Sequence, residues 1–103
     1  MTELVIIAEA EVDPAEIERV RIIGEKMIVA SRAEAGCLSY AYSFDLLQPN
    51  LMRVIEVWTS EQALREHFAT SHMATFRRDL AATRTRLKAI KVHELGKEGK
   101  LPT

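Results

Sequence analysis

Apolar and polar positions along the chain repeat with two different periods, and the changes of period divide it into elements. From Glu3 to Val12, E-L-V-I-I-A-E-A-E-V, Glu9 and Glu11 alternate with Ala8, Ala10 and Val12, which predicts a strand. The D-P-A-E that follows predicts a helix start: Asp13 suits a cap, Pro14 the first helical position, and Glu16 the return contact of a capping box. Ile17, Val20, Gly24, Met27, Ile28 and Ser31 then recur at helical spacing with charges on the other side. They predict a long amphipathic helix that stops at Gly36 in the left-handed conformation.

Cys37 to Phe44, C-L-S-Y-A-Y-S-F, alternates again, with Leu38, Tyr40, Tyr42 and Phe44 on one face and Cys37, Ser39, Ala41 and Ser43 on the other. Pro49-Asn50 marks a turn, and Leu51 to Trp58 predicts an antiparallel partner strand. Its faces are Met52, Val54, Glu56, Trp58 and Leu51, Arg53, Ile55, Val57, and neither is polar. Thr59 or Ser60 is placed to cap a short helix through about Ala69. Thr70 or Ser71 caps a second, in which Met73, Phe76, Leu80, Thr83 and Leu87 share a stripe. K-A-I-K-V-H-E-L, Lys88 to Leu95, predicts the last strand. The order β-α-β-β-α-β with right-handed crossovers gives an α+β, ferredoxin-like fold: one four-stranded antiparallel sheet with helices on one side. Residues 1–96 form a single domain, and residues 97–103 a frayed tail. Helices cover one apolar sheet face, so a second copy is expected to cover the other.

Composition narrows the function classes. Fourteen Lys and Arg against 15 Asp and Glu leave a net charge of −1, so nucleic acid and anionic membranes are not expected partners. No apolar run approaches the roughly 20 residues that span a bilayer. The lone Cys37 and the absence of a basic, cleavable N-terminal segment point to a reducing, cytoplasmic setting.

Candidate chemistry concentrates between Glu56 and Phe76. His67 and His72 are five apart, about 140° around a helix at ~100° per residue, whereas zinc helices space histidines by four; no metal site is expected. Cys37 has no evident activating partner, and no glycine-rich phosphate loop is present. Arg77, Arg78, Arg84, Arg86 and Lys88 read as a solvated basic helix face. Glu56 lies on the apolar Met52-Val54-Trp58 face, where a carboxylate needs a partner or a wet cavity. His67 and the hydroxyls of Tyr40 and Tyr42 are its candidate partners. That neighbourhood is either a sealed hydrogen-bond network or a pocket in which imidazole moves a proton.

G-C-L-S-Y at Gly36–Tyr40, E-V-W-T-S at Glu56–Ser60, A-L-R-E-H-F at Ala63–Phe68 and S-H-M-A-T-F at Ser71–Phe76 together resemble the antibiotic biosynthesis monooxygenase family. The resemblance covers nearly the whole chain and implies a homodimer in which two sheets face each other as a β-barrel. It also implies a cofactor-independent monooxygenase, without metal or flavin, acting on a quinol- or anthrone-like aromatic with O2. In that role His67 is the first choice of base, with Glu56 orienting it and Trp58 beside it, and His72 is the second. Tyr40, Tyr42, Phe68, His72, Met73 and Phe76 would shape the substrate pocket, with Arg53 or Arg77 as anion partner. The competing class is a non-catalytic ligand-binding or stress-response barrel. Haem degradation is a weaker alternative: that branch carries asparagine in the first strand, tryptophan at the position of His67 and histidine near Arg77. This chain has Ala8 or Glu9, His67 and Arg77 there.

Overall fold

The computed structural model describes residues 2–102. Its elements are β1 (Leu4–Val12), a 3-10 turn (Pro14–Glu16), α1 (Ile17–Arg32), β2 (Cys37–Phe44), β3 (Leu51–Trp58), α2 (Glu61–Phe68), α3 (Ser71–Ala81) and β4 (Thr85–Glu94). The strands form one antiparallel sheet in the order β2-β3-β1-β4, the ferredoxin-like arrangement that the pattern predicts. Buried strand positions follow period 2 except at Leu51, which is buried beside Met52: Leu4, Ile6, Ala8, Ala10 and Val12 on β1 meet Met52, Val54, Glu56 and Trp58 on β3. On α1 the residues that face them are Val20, Gly24, Met27 and Ser31, all on the predicted stripe.

Local departures have identifiable causes. Asp13 does cap the first turn, accepting from the Ala15 amide at 2.9 Å, but Glu16 does not return to it. Instead the Asp13 amide bonds the Arg84 carbonyl, and the buried Glu16 carboxylate accepts from the Arg84 amide and from Arg19, tying the helix start to the start of β4. α1 ends at Arg32 with Ala33 still right-handed, and no described glycine has positive φ. Gly36 therefore serves close approach rather than a left-handed stop. A Cβ there would lie 2.4 Å from the Ala63 Cβ, where the chain entering β2 packs on α2. Gly36→Ala is accordingly expected to cost about 1–3 kcal/mol by overpacking, read as a lower urea midpoint at unchanged slope; an unchanged midpoint would refute the close contact.

The alternation of β2 also breaks at its start. Cys37 pairs with Trp58 and Ser39 with Val57, so Leu38 is the extra residue of a bulge. Cys37 thereby joins Tyr40 on the core side, and Leu38, which the alternation puts on the face of Tyr40, is exposed. At the other end, Thr83 and Leu87 do not continue α3. The helix stops at Ala81, Thr83 Oγ1 donates to the Leu80 carbonyl, and β4 starts at Thr85, three residues earlier than expected. Arg84 and Arg86, read above as a helix face, pair with Asp13 and Glu11 and hold that segment beside β1. Residues 95–102 carry neither helix nor strand.

Candidate active site

The site is a consequence of where α3 lies. Ser60 caps α2 and Thr70 caps α3, each through its hydroxyl, so the chain turns sharply after Phe68 and α3 returns over the sheet. None of the α3 residues is fully buried; Met73, Phe76 and Leu80 reach toward the sheet without touching down along its whole width. Between them and the floor of Ile6, Ala8, Ala10, Met52 and Val54 lies a cavity of about 390 Å³. Tyr40, Tyr42 and Glu56 wall it on one side, and Phe68, Arg77, Leu87 and Ile90 line it elsewhere. Of the residues predicted from sequence, Glu56, Tyr40, Tyr42, Phe68, Met73 and Phe76 line this cavity; Trp58, His67 and His72 do not.

Glu56 is a buried carboxylate in an apolar wall, facing Ile6 and Tyr40 across the sheet. Neither His67 nor a tyrosine is its partner. Its Oε1 accepts from Trp58 Nε1 at 3.0 Å, two residues along the same strand face. Burial pushes the Glu56 pKa up, the Trp58 hydrogen bond partly opposes that, and the charge of Glu34 adds to it. Tyr40 and Tyr42 share a 3.0 Å hydrogen bond between hydroxyls. Burial drives both phenols well above their ordinary range, so both stay protonated and able to donate.

Trp58 and His67 form the layer behind this wall. His67 is 1 % exposed, its ring centroid 4.5 Å from that of Trp58 and 5.6 Å from that of Tyr40. Its Nδ1 lies 2.6 Å from Glu34 Oε2, and His72 Nε2 lies 2.8 Å from the same oxygen. Glu34 was not singled out in the sequence. It sits in the connection between α1 and β2, which the Gly36–Ala63 contact presses against α2. The three donor atoms lie within 4.8 Å of one another, but the separations to Oε2 are those of hydrogen bonds; zinc ligands with bonds of ~2.0–2.1 Å stand farther apart. His72 opens instead on a separate hollow shared with Met27, Ser71 and Asp79. Of the two candidate anion partners, Arg53 is engaged by Glu9 and Asp45. Arg77 lies 5.6 Å over the Phe68 ring at the cavity and makes no ion pair among the described residues.

The profile of the antibiotic biosynthesis monooxygenase (ABM) family matches residues 4–79, from β1 through most of α3. The chain belongs to the ABM family. An uncharacterised Synechocystis protein, sll1783, is 31% identical over 94 residues, which cover 88% of this chain and 64% of that protein, so the chain spans less than two-thirds of this relative's length. PA3566 from Pseudomonas aeruginosa, a solved structure, is 31% identical over 96% of this chain and 97% of its own, with a TM-score of 0.78. A candidate antibiotic biosynthesis monooxygenase from Deinococcus radiodurans superposes with a TM-score of 0.89 over 97% of this chain and 99% of its own, at 24% identity. At that identity the likeness shows the fold alone. Residues 80–94, which end α3 and form β4, lie beyond the matched profile yet line the cavity through Leu80, Ala81, Thr85, Leu87 and Ile90.

Proposed function

We propose that this ABM protein is a homodimeric, cofactor-independent monooxygenase that oxidises a quinol- or anthrone-like aromatic with O2. The supporting observation is a mainly hydrocarbon cavity whose wall holds one buried carboxylate of raised pKa, two tyrosine hydroxyls and Arg77, which makes no ion pair among the described residues. The flat hydrocarbon walls suit an aromatic ring, and the polar groups gather where an ionising oxygen would sit.

In this proposal Glu56 takes the proton, the role that the sequence alone gave to His67. Glu56 faces the cavity, whereas His67 lies behind Trp58 and is bonded to Glu34. Glu56 removes a proton from the acidic C–H or O–H of the substrate. The resulting anion is stabilised by hydrogen bonds from Tyr40 or Tyr42 and by the Arg77 charge. That electron-rich anion reacts with O2 in a water-poor site. For an anthrone, the methylene carbon gains one oxygen atom as a carbonyl, its two hydrogens leave, and the other oxygen departs with them as water. Trp58 is a positioning residue that holds the Glu56 carboxylate through its indole N–H, and His67 packs behind Trp58.

The dimer is supported by the sheet face away from the helices. Ile7 and Ile55 are adjacent there, 42% and 45% exposed, with Val5 and Val57 beside them. An apolar sheet face of this kind is covered in a stable protein, and a second identical sheet supplies a matching surface. The direct test is oxygen uptake with an anthrone or a reduced naphthoquinone. Uptake well above the buffer rate is expected; a folded protein that binds the aromatic and consumes no oxygen would leave the ligand-binding barrel as the function.

A further inference from the structure

The cavity has an open side, and the fold leaves a matching plug elsewhere. The helices lie over β1, β2 and β3, so the helix-side face of β4 is bare. Leu87, Ile90 and Val92 share the face of Ala10, Ala8 and Ile6, yet are 60%, 56% and 53% exposed. Leu87 and Ile90 are also cavity residues, so this bare stretch is the cavity's open side. At the β2–β3 turn, Leu46 and Leu47 are 97% and 96% exposed. They are not on a slack loop. Asp45 Oδ2 accepts from the amides of Leu47 and Gln48, both at 2.9 Å, while its Oδ1 is held by Arg53. Two adjacent leucines fixed in water at a turn call for a surface to cover them.

The strand directions say where that surface is. In the order β2-β3-β1-β4 with every neighbour antiparallel, β2 and β4 are the two edges and run in opposite directions. The β2–β3 turn therefore lies at the same end of the sheet as the start of β4, where Val12 pairs with Thr85 and Glu11 with Leu51. When two copies stack their apolar sheet faces about a two-fold axis along the strands, the β2 edge of each meets the β4 edge of the other. Each turn then falls beside the partner's first β4 residues. We propose that Leu46 and Leu47 of one copy close the open side of the other copy's cavity over Leu87 and Ile90, so that each site is complete only in the dimer. This rests on the dimer reading above and adds its axis and the residues that the second copy contributes. A two-fold perpendicular to the strands would instead place β2 against β2 and leave the cavities open.

Cysteine pairs test the register. In the full chain, Leu46→Cys and Leu47→Cys are each combined with Leu87→Cys, and oxidised samples are compared on non-reducing gels with both sets of single variants and with the natural chain, whose sole thiol is Cys37. A covalent dimer from at least one pair and from none of the single variants is expected, since a disulfide needs Cα atoms within about 7 Å. A second readout is quenching of the lone Trp58 by 1,4-naphthoquinone. Leu46→Asp/Leu47→Asp is expected to weaken it about tenfold or more, because burial of even one leucine is worth more than a factor of ten. Sedimentation separates the remaining outcomes. A dimer in which the pairs do not link, or in which Leu46→Cys or Leu47→Cys links to itself, overturns the closure while leaving the sheet-to-sheet dimer. A monomer overturns both. Covalent dimers without oxygen uptake keep the closure and remove the catalytic reading.

Discussion

Glu56→Gln is expected to lower the turnover of anthrone oxidation by about 10²-fold or more while leaving the protein folded, since a positioned general base contributes factors of this order. The amide keeps the size of the side chain and can still accept from Trp58 Nε1, so packing of the wall is preserved. It cannot take a proton. If Glu56 is the base, the natural protein should show an activity limb that rises with pH, with its midpoint above the usual carboxylate range because burial raises the Glu56 pKa. Stability must move the other way. A carboxyl whose folded pKa exceeds its unfolded value stabilises the fold fully below the unfolded pKa, and that contribution is lost as pH rises through the folded pKa. Relative to Glu56→Gln, the natural protein should therefore lose urea stability over the same pH window in which it gains activity. A flat difference between the two proteins across that window, with activity retained in the variant, would remove Glu56 from the mechanism.

Trp58→Ala should be the most damaging single change to stability, about 3–5 kcal/mol, the usual cost of removing a fully buried large aromatic. Trp58 is 0% exposed, packs edge-on to Tyr40 and beside His67, and belongs to the cluster of Leu4, Ile6, Met27 and Leu64. A domain of this length has a total stability of about 5–15 kcal/mol, so the variant should be partly unfolded at modest temperature. Trp58→Phe separates packing from polarity. Most of the ring remains, but the hydrogen bond to Glu56 Oε1 is gone, and with it the contact that lowers the Glu56 pKa. The activity limb of Trp58→Phe should then shift to higher pH than in the natural protein, measured as the pH profile of kcat/KM. A shift to lower pH, or a profile that does not move, would show that the indole does not position the carboxylate.

The architecture was legible in the sequence because each strand and helix announces its own period, and the β-α-β-β-α-β order with right-handed crossovers puts the helices on one side of the sheet. What was not legible depends on contacts between distant segments. The bulge at Leu38 arises from how β2 meets β3, and the early start of β4 from ion pairs of Arg84 with Asp13, just after β1, and of Arg86 with Glu11 on β1. At the site, Glu56, Tyr40, Tyr42, Phe68, Met73 and Phe76 line the cavity, whereas Trp58, His67 and His72 do not. Sequence spacing places Glu56, Trp58 and His67 near one another, but only packing decides that Glu56 faces the cavity and His67 lies in the layer behind. Glu34 carried no local signal at all. It becomes the partner of both histidines because α2 packs against Gly36, bringing residues more than thirty positions apart to one oxygen.

Capture of one atom of O2 by a substrate anion formed beside Glu56 is read out by isotope labelling. Under ¹⁸O2, the natural protein should convert an anthrone to the quinone with one labelled oxygen in the product and the other in water, and Glu56→Gln should give only the background yield. A protein that binds the anthrone, as shown by quenching of Trp58, but yields no labelled quinone above background would not be a monooxygenase for this substrate class.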